Sequence, residues 1–258
     1  MSADASPPPT VSIVIATYAR LDQLKQCLDT VRTNVTTPHE TIVVGGAAND
    51  GTTEWLREQS DVRFVPETTR EGATKAYNKG FRAARGTYVM WLNDDSYPLP
   101  GSVEAAVQTI ERPDLTDVGM IAFYHIMNQP PNQLDEVRRE GVAYRIFHSR
   151  LLPYANFGLL RRSLLEKIGF LDERFYFCGW DPDLSLTIQL REGLRVVGCP
   201  DALIHHEELM DDRKKEDLAV FKEDNKRLHA KWPLWCCRIR RRRWQWKHRG
   251  GPPYWRAS

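Results

Sequence analysis

The sequence lacks a run of apolar residues long enough to cross a membrane, because a spanning helix needs about 20 of them in succession. Residues 1–9 have neither the basic start nor the apolar core of a secretory signal, and their Pro, Ser and Ala content predicts a disordered leader. Cysteine is scarce: the five residues are an odd number, and their spacing is not typical of a zinc site. These absences predict reduced thiols and a cytoplasmic location.

The rest of the composition is that of a globular protein. Hydrophobic residues make up 41% and charged residues 27% of the 258, which excludes collagen-like, low-complexity and wholly disordered classes. The net charge of +2 hides an asymmetry, because nine basic and no acidic residues lie from residue 231 onward. The first 230 residues hold 27 basic and 34 acidic residues. An acidic body therefore carries a basic tail, which also contains five of the eight Trp residues.

Strand and helix patterns alternate through the first half of the chain. Short β-branched apolar runs predict buried strands, and apolar residues every three or four positions predict helices. The strands are expected at residues 11–16, 40–44, 62–65 and 88–92, and the helices at 21–31, 52–59 and 71–85. This order predicts an α/β fold with a parallel sheet flanked by helices. Ligands bind beyond the carboxyl ends of such strands, so loops 17–20, 45–51 and 93–96 should converge on one crevice.

The second half is less regular. Its polar, Pro-containing segment 129–140 is expected to be a flexible loop. Further strands are expected at residues 118–124, 156–160 and 194–197, and further helices at 102–110, 162–168, 183–192 and 211–232.

Two adjacent acids, Asp94 and Asp95, follow the apolar strand 88–92. Adjacent carboxylates at the end of a buried strand repel each other and lose solvation, so a positive partner is expected. A divalent cation is the simplest partner, because Mg²⁺ and Mn²⁺ prefer carboxylate oxygens and share them with phosphates. The alternative is a polar turn before Pro98.

A second pair of acids, Asp181 and Asp183, flanks Pro182 after an aromatic segment. Because Asp181 precedes a proline, we expect it in an extended, non-helical conformation. Aromatic surroundings desolvate a carboxylate and raise its pKa, which suits a general base. The alternative is that both acids cap a helix.

Adjacent histidines, His205 and His206, end an apolar segment that begins at residue 202. Imidazoles at the end of a buried strand could ligate a metal or contact a phosphate. The alternative is a partly exposed strand end.

Seven short segments, taken together and in order, resemble the family 2 glycosyltransferases with the GT-A fold. The segment 92–95, Leu-Asn-Asp-Asp, resembles the family's DXD-type motif, and 180–184, Trp-Asp-Pro-Asp-Leu, resembles its "ED" motif. The other matching segments are residues 11–18, 49–52, 78–80 with 84–88, 157–162 with 168–172, and 202–206.

The resemblance implies a Rossmann-like GT-A domain over residues 10–210, with a nucleotide-binding half at 10–97 and an acceptor half at 98–210. A C-terminal helix at 211–232 and a basic Trp/Arg-rich tail at 233–258 would follow. The implied reaction moves a sugar, with inversion, from a UDP-, GDP- or dTDP-sugar to a hydroxyl of a glycan or lipid-linked glycan.

The resemblance also implies roles for individual residues. Asp181 would be the general base, and Asp95 would hold Mn²⁺ or Mg²⁺ together with His206 or His205. Contacts to the nucleotide sugar would come from Thr17, Tyr18, Arg20, Asp50, Arg70, Lys75, Asn78, Asn93 and Asp94.

This sequence departs from the family pattern at three places. Gly45 or Gly46 stands where the family has an Asp that contacts the base, Trp180 replaces the first acid of the "ED" motif, and Thr187 stands in place of an Arg. Two alternatives therefore stay open: a nucleotidyltransferase, although no GxGxRL signature follows the first strand, and a non-catalytic binding module.

The tail interleaves residues 240–243, all Arg, with Trp244 and Trp246. Trp and Arg favour the surface of an anionic bilayer, so peripheral docking at the inner face of the cell membrane is one hypothesis. A tail that is disordered or that packs on the protein itself is the main alternative. Nucleic acid, bound by phosphate neutralisation and base stacking, is the least favoured partner.

Overall fold

The computed structural model describes residues 8–127, 132–209, 211–234, 239–241, 244 and 255–257. Helices and strands alternate in its first half, as the sequence predicts. The elements are β1 (Val11–Ala16), α1 (Leu21–Asn34), β2 (His39–Gly45), α2 (Thr52–Arg57), β3 (Val62–Pro66), α3 (Ala73–Ala83), β4 (Tyr88–Asn93), β5 (Ser96–Pro98) and α4 (Ser102–Ile110).

The second half adds more strands than the sequence predicts. A short 3-10 helix (Pro113–Leu115) follows α4 and precedes the strands of this half. The elements are β6 (Val118–His125), β7 (Gln133–Arg139), β8 (Val142–Ser149), β9 (Leu152–Tyr154), β10 (Gly158–Arg161), α5 (Arg162–Ile168), α6 (Trp180–Leu190), β11 (Arg195–His206) and α7 (Asp212–Lys231).

One mixed sheet connects the strands in the order β3-β2-β1-β4-β10-β6-β11-β5. The first four strands are mutually parallel, and β11 is parallel to β6. Strand β10 runs antiparallel between β4 and β6, and β5 is antiparallel to β11. The predicted α/β class with flanking helices is confirmed, and the sheet is parallel over β1–β4 and mixed beyond β4.

Strand β1 shows why the sheet lies between layers of other elements. Its first five residues are all buried, although successive side chains point to opposite faces of a sheet. Both faces are therefore covered. On one face Gly80 of α3 lies so close to β1 that an added Cβ would be 2.3 Å from Val14 Cγ1.

The expected flexible loop at 129–140 is wrong over residues 133–139, which form β7 and pair with β8. Residues 129–131 lie outside the described part of the chain. No residue of β7 is fully buried, and its two apolar residues, Leu134 and Val137, pack partly buried against the core. The other five residues of the strand are polar or charged, and this mixture hides the strand from a search for apolar runs.

The structure also corrects the conformation of Asp181, which lies in the first turn of α6 and is not extended. Gly179 precedes the helix in the left-handed region, and Asp183 N–H donates to Gly179 O at 3.0 Å. Pro182 is accommodated because amides in a first helical turn have no intrahelical partner.

Described residues of the tail pack on the body of the protein. Gly198 of β11 donates to Trp255 O at 2.6 Å, and Ala257 donates to Gly198 O at 2.9 Å. Arg256 pairs with Asp135 at 2.7 Å, and Ile239 is buried. These contacts favour the self-packing alternative for this part, while residues 235–238, 242–243 and 245–254 lie outside the described chain. Among described helices, none combines the length and apolarity of a membrane span.

Candidate active site

A cavity of about 280 Å³ opens beyond the carboxyl ends of β1 and β4. It is walled by residues of these strand ends, of α3, of α6, of the end of β11 and of α7. Those from the predicted site are Thr17, Tyr18, Arg70, Asn93, Asp94, Asp95, Asp181 and His206. Loops 17–20 and 93–96 therefore converge as expected, whereas the cavity lining within the described chain includes no residue of 45–51.

Arg20 supplies the positive charge that the adjacent acids require. Its Nη1 lies 2.5 Å from Asp95 Oδ2 and 3.2 Å from Asp94 Oδ1, and its Nε donates to Asp211 Oδ2 at 2.6 Å. Arg20 is 3% exposed and lies behind the carboxylates, away from the cavity lining. The guanidinium of Arg20 is thus engaged with three carboxylates and with Leu209 O, and the structure does not bring it to the cavity lining.

The geometry of Asp95 keeps its carboxylate charged. Burial works to raise the pKa of Asp95, but His206 and Arg20 outweigh it and hold that pKa well below its usual range. Thr17 Oγ1 donates to Asp94 Oδ2 at 3.0 Å, which fixes the neighbouring carboxylate.

Asp95 and His206 also suit a divalent cation. Asp95 Oδ1 lies 3.4 Å from His206 Nε2, a separation that two neighbouring ligands of one ion can have. Carboxylate oxygen and imidazole nitrogen are ligands that Mn²⁺ accepts. Within the described residues no three His, Cys, Asp or Glu side chains are grouped to hold a cation. Diphosphate oxygens would have to complete its coordination, as they commonly do.

The two histidines separate by the alternation of strand β11. His206 is buried and lines the cavity, whereas His205 is exposed and stacks on Tyr97 with ring centroids 6.0 Å apart. Successive side chains of a strand point to opposite faces, so only one of two adjacent histidines can reach the cavity. The structure therefore brings His206, and not His205, to the carboxylate of Asp95.

The two acids of α6 have different surroundings. Asp181 lines the cavity, whereas Asp183 is buried and accepts hydrogen bonds from Lys231 Nζ at 2.8 Å and Trp232 Nε1 at 2.7 Å. Asp183 therefore ties α6 to the end of α7. Trp180, which replaces the family's first acid, packs against Trp91 and lines the cavity beside Asp181.

Asp224 of α7 holds the segment that leads into α6. Its carboxylate is fully buried and accepts backbone hydrogen bonds from Tyr176, Phe177 and Cys178 at 2.8–3.1 Å. Three donors on one carboxylate fix the start of α6 and with it the position of Asp181.

Replacing Asp224 with Ala should lower the free energy of unfolding by about 3 kcal/mol, because three buried N–H groups lose their acceptor. Urea denaturation measures the change. Asp212→Ala is the matched control on the same helix, because the Asp212 side chain is 94% exposed, and it should change stability by less than about 0.5 kcal/mol. Equal stability of the two variants would contradict the positioning role.

Three further predicted donor contacts are not brought to the cavity. Asp50 accepts hydrogen bonds from Thr52 N–H at 3.2 Å and from Thr52 Oγ1 at 2.9 Å, at the start of α2. Lys75 lies on the exposed face of α3, 3.9 Å from Glu71. Asn78 is buried and makes hydrogen bonds of 3.0 Å to both the N–H and the C=O of Leu171. Each of the three has a partner within the protein and lies outside the cavity lining.

Comparison with known proteins assigns the chain to a family. The family model described as glycosyl transferase family 2 matches residues 12–169, more than half of the chain. The chain belongs to glycosyl transferase family 2. It is therefore a glycosyltransferase, which confirms the predicted enzyme class and removes the support for nucleotidyl transfer.

Curated relatives of this glycosyltransferase are distant. The uncharacterized glycosyltransferase YwdF of Bacillus subtilis is 24% identical over 231 residues, which are 87% of this chain and 84% of YwdF. The O-antigen biosynthesis protein RfbC of Myxococcus xanthus is 27% identical over 225 residues, which cover 77% of this chain but only 17% of RfbC.

Solved glycosyltransferases share the fold. The mannosyltransferase PcManGT of Pyrobaculum calidifontis, in complex with GDP-Man and Mn²⁺, superposes with a TM-score of 0.61 at 19% identity, covering 98% of this chain and 79% of PcManGT. Residues 1–349 of S. aureus TarS with UDP-GlcNAc give a TM-score of 0.59 at 16% identity, covering 80% of this chain and 60% of that one. The fold of this glycosyltransferase is accordingly GT-A.

Several cavity residues of this glycosyltransferase are not evident from its sequence. Tyr77 lines the cavity and donates to Asn93 Oδ1 at 2.9 Å, one position before the predicted Asn78. Asp217 and Phe221 reach the cavity from α7. Phe221 is an isolated aromatic residue in a strongly charged helix, and that isolation is the one signal that marks it in the sequence.

Glycine at position 45 is explained by close packing. A Cβ on Gly45 would lie 2.5 Å from the backbone oxygen of Thr17, so an Asp there would displace the loop that lines the cavity. The loop after β2 therefore meets the loop after β1 too closely for the family's base-contacting Asp.

Proposed function

We propose that this glycosyltransferase moves a sugar from a nucleoside diphosphate sugar to an acceptor hydroxyl, with inversion at the anomeric carbon. The observation that supports the proposal most is that Asp181 lines the same cavity as Asp95 and His206. One bound donor and acceptor could therefore contact both the proposed base, Asp181, and the residues proposed to hold the diphosphate.

The donor end of the cavity offers a cation and an aromatic face. Arg70 lines the cavity, its guanidinium stacks 4.5 Å from the ring centroid of Tyr18, and its Nη2 lies 2.6 Å from Asp217 Oδ1. Arginine is suited to diphosphate oxygens by its planar set of donors. Tyr77 orients the Asn93 amide, which is a further polar contact for the donor.

Asp95 and His206 would hold a divalent cation, Mn²⁺ or Mg²⁺, at the diphosphate. When bound, such an ion supplies charge stabilisation to the departing nucleoside diphosphate. Asp94 would help through its position beside Asp95, where both carboxylates already share Arg20.

Asp181 would act on the acceptor side. Its carboxylate takes the proton of the acceptor hydroxyl while that oxygen attacks the anomeric carbon. The bond to the nucleoside diphosphate breaks in the same displacement, and its electron pair leaves with the diphosphate oxygen. Attack from the side opposite the leaving group inverts the anomeric centre.

The neighbours' ligands agree with this class of donor. PcManGT is in complex with GDP-Man and Mn²⁺, and TarS is in complex with UDP-GlcNAc. RfbC takes part in O-antigen biosynthesis, which supports a glycan or lipid-linked glycan as acceptor and a role in polysaccharide biosynthesis. A cytoplasmic location, at the inner face of the cell membrane, and the division at residues 10–97 and 98–210 complete the proposal.

A thermal-shift screen of UDP-, GDP- and dTDP-sugars, with and without MnCl₂ or MgCl₂, tests the donor. A ligand that binds only the folded chain must raise its melting temperature. A free ligand concentration of about 100 times the dissociation constant adds about 2.7 kcal/mol to the free energy of unfolding. We expect one nucleotide to raise the melting temperature, more so with the cation, and the effect to shrink in Asp95→Asn. A melt that no donor shifts under any condition would contradict the proposal.

A further inference from the structure

A second cavity, of about 630 Å³, adjoins the first across Asp181. Asn156, Cys178, Asp181 and Phe221 line both cavities. The second one extends between the β8–β9 hairpin, the start of α6 and one face of α7. A substrate in it would present its groups to Asp181 from the side away from the donor residues.

Arg150 is a half-buried cation that lines the second cavity, and it forms no ion pair within the described part of the chain. Its Nε and Nη2 atoms are buried and have no hydrogen-bond partner in the described structure. Burial of the guanidinium without a partner lowers the pKa of Arg150. A buried guanidinium is disfavoured unless an anion or hydrogen-bond acceptors accompany it, so the site is suited to an anionic ligand.

The backbone at this arginine has an unfavourable conformation. Arg150 and Leu151 join β8 to β9, and both have positive φ angles, +56° and +60°. Glycine and asparagine are the usual residues in such a two-residue hairpin turn. Here a long cation and a leucine occupy the turn, and both line the second cavity. Strain of this kind is concentrated at functional sites.

The mouth of the second cavity is apolar. Leu151, Phe221 and Leu234 line it and are 36%, 45% and 52% exposed. Large apolar side chains that are exposed together are typical of a binding surface. The cavity therefore joins a half-buried cation to an exposed apolar patch.

We propose that the second cavity binds the acceptor, and that this acceptor is an anionic amphiphile: a hydroxyl-bearing group with a phosphate beside it and a lipid chain. The phosphate would accept hydrogen bonds from Arg150, the chain would cover Leu151, Phe221 and Leu234, and the hydroxyl would reach Asp181. This inference rests on the proposed function, which assigns Asp181 to the acceptor side.

His148 and His229 also line this cavity, and desolvation lowers the pKa of each. Both therefore favour the neutral form, in which they serve as hydrogen-bonding groups. Arg150 is then the lining group that gives the site its positive charge.

Calorimetric titration of the full chain, without donor, tests the inference with three probes below their aggregation concentrations. Decyl phosphate carries the anion and the chain, decyl β-glucopyranoside carries the chain alone, and glucose 1-phosphate carries the anion alone. We expect decyl phosphate to bind at least about tenfold more tightly than either, because only this probe combines charged hydrogen bonds to Arg150 with an alkyl chain on the apolar mouth.

Arg150→Gln should weaken decyl phosphate binding about tenfold and leave decyl glucopyranoside unchanged, whereas Arg150→Lys should retain most of the affinity. The matched control is Arg138→Gln, because Arg138 lies on the neighbouring strand, is 65% exposed and pairs with Glu136. Leu234→Ser should weaken both decyl probes but not glucose 1-phosphate, and Val142→Ser, at an exposed apolar residue outside the cavity, should change none.

Three outcomes overturn the inference. Equal affinity of decyl phosphate for wild type and Arg150→Gln would show that Arg150 does not form an anion site. Glucose 1-phosphate that binds as tightly as decyl phosphate, with no effect of Leu234→Ser, identifies a soluble anionic acceptor and removes the lipid. Tighter binding of decyl β-glucopyranoside than of decyl phosphate removes the anion and with it the proposed anionic amphiphile. The donor thermal shift should persist in every variant, so its absence in wild type would count against the proposed function alone.

Discussion

Replacing Asp181 with Asn should lower the rate of sugar transfer by about 10²–10⁴-fold, which is the usual contribution of a general base. The amide has nearly the size and shape of the carboxylate but cannot take the proton of the acceptor hydroxyl. Asp181 lines the cavity, whereas Asp183 is buried and accepts hydrogen bonds from Lys231 and Trp232. The measurement is release of nucleoside diphosphate with saturating donor and acceptor.

Donor binding is the control for this variant. The thermal shift produced by the nucleotide sugar should be the same in Asp181→Asn and wild type, because the donor contacts we propose lie at Arg70, Asn93 and Asp95. Asp183→Asn provides the matched contrast: it weakens the bonds to Lys231 and Trp232, so its melting temperature should fall. An Asp181→Asn enzyme that keeps its rate would remove Asp181 as the base.

Sequence patterns place the strand-end acids well, because a parallel sheet brings the carboxyl ends of its strands to one edge. Thr17, Asn93 and Asp95 therefore meet as predicted. The positive partner of these acids could not be predicted from the sequence. Nothing local in the sequence shows that Arg20, rather than an ion, lies 2.5 Å from Asp95, because that contact depends on how the turn after β1 enters α1.

The choice between His205 and His206 shows a second limit. Both follow the same apolar run, and only the register of β11 against β5 and β6 decides which side chain faces the cavity. A slip of one residue would exchange them. Asn78 fails for the same kind of reason, since a shift of one position on α3 separates it from Tyr77, which does line the cavity.

The acceptor side is the part least accessible from sequence. Strands β7, β8 and β9 form an antiparallel meander, for which the sequence patterns predict a loop over 129–140 and no element over β8 and β9. Arg150 lies in the turn between β8 and β9, where a single arginine indicates no function by itself. Its meaning comes from burial without a partner, which only the tertiary structure reveals.

The Arg20 cluster should be the largest single contributor to stability around the site. Arg20→Met should lower the free energy of unfolding by about 3–5 kcal/mol, because it leaves two buried carboxylates without their counter-ion. Asp94 and Asp95 are 1% and 4% exposed, so water cannot replace the guanidinium. Urea denaturation at pH 7 measures the loss. Arg32→Met is the matched control: Arg32 pairs with Asp61 on the surface, and its loss should cost about 1 kcal/mol or less.

The loss of stability in Arg20→Met should depend on pH in a definite direction. In wild type the pKa of Asp95 lies below its unfolded value of about 3.9, so the stabilisation is present above that pH and is lost as the pH falls further. Without Arg20, burial acts to raise that pKa, and protonation then relieves the unpaired charge. The difference in stability between wild type and Arg20→Met should therefore be largest at neutral pH and shrink below about pH 5. Excess MnCl₂ should recover part of the loss in Arg20→Met if Asp95 and His206 accept the ion. A difference that grows on acidification would show that Arg20 acts through packing alone and that the carboxylates never required its charge.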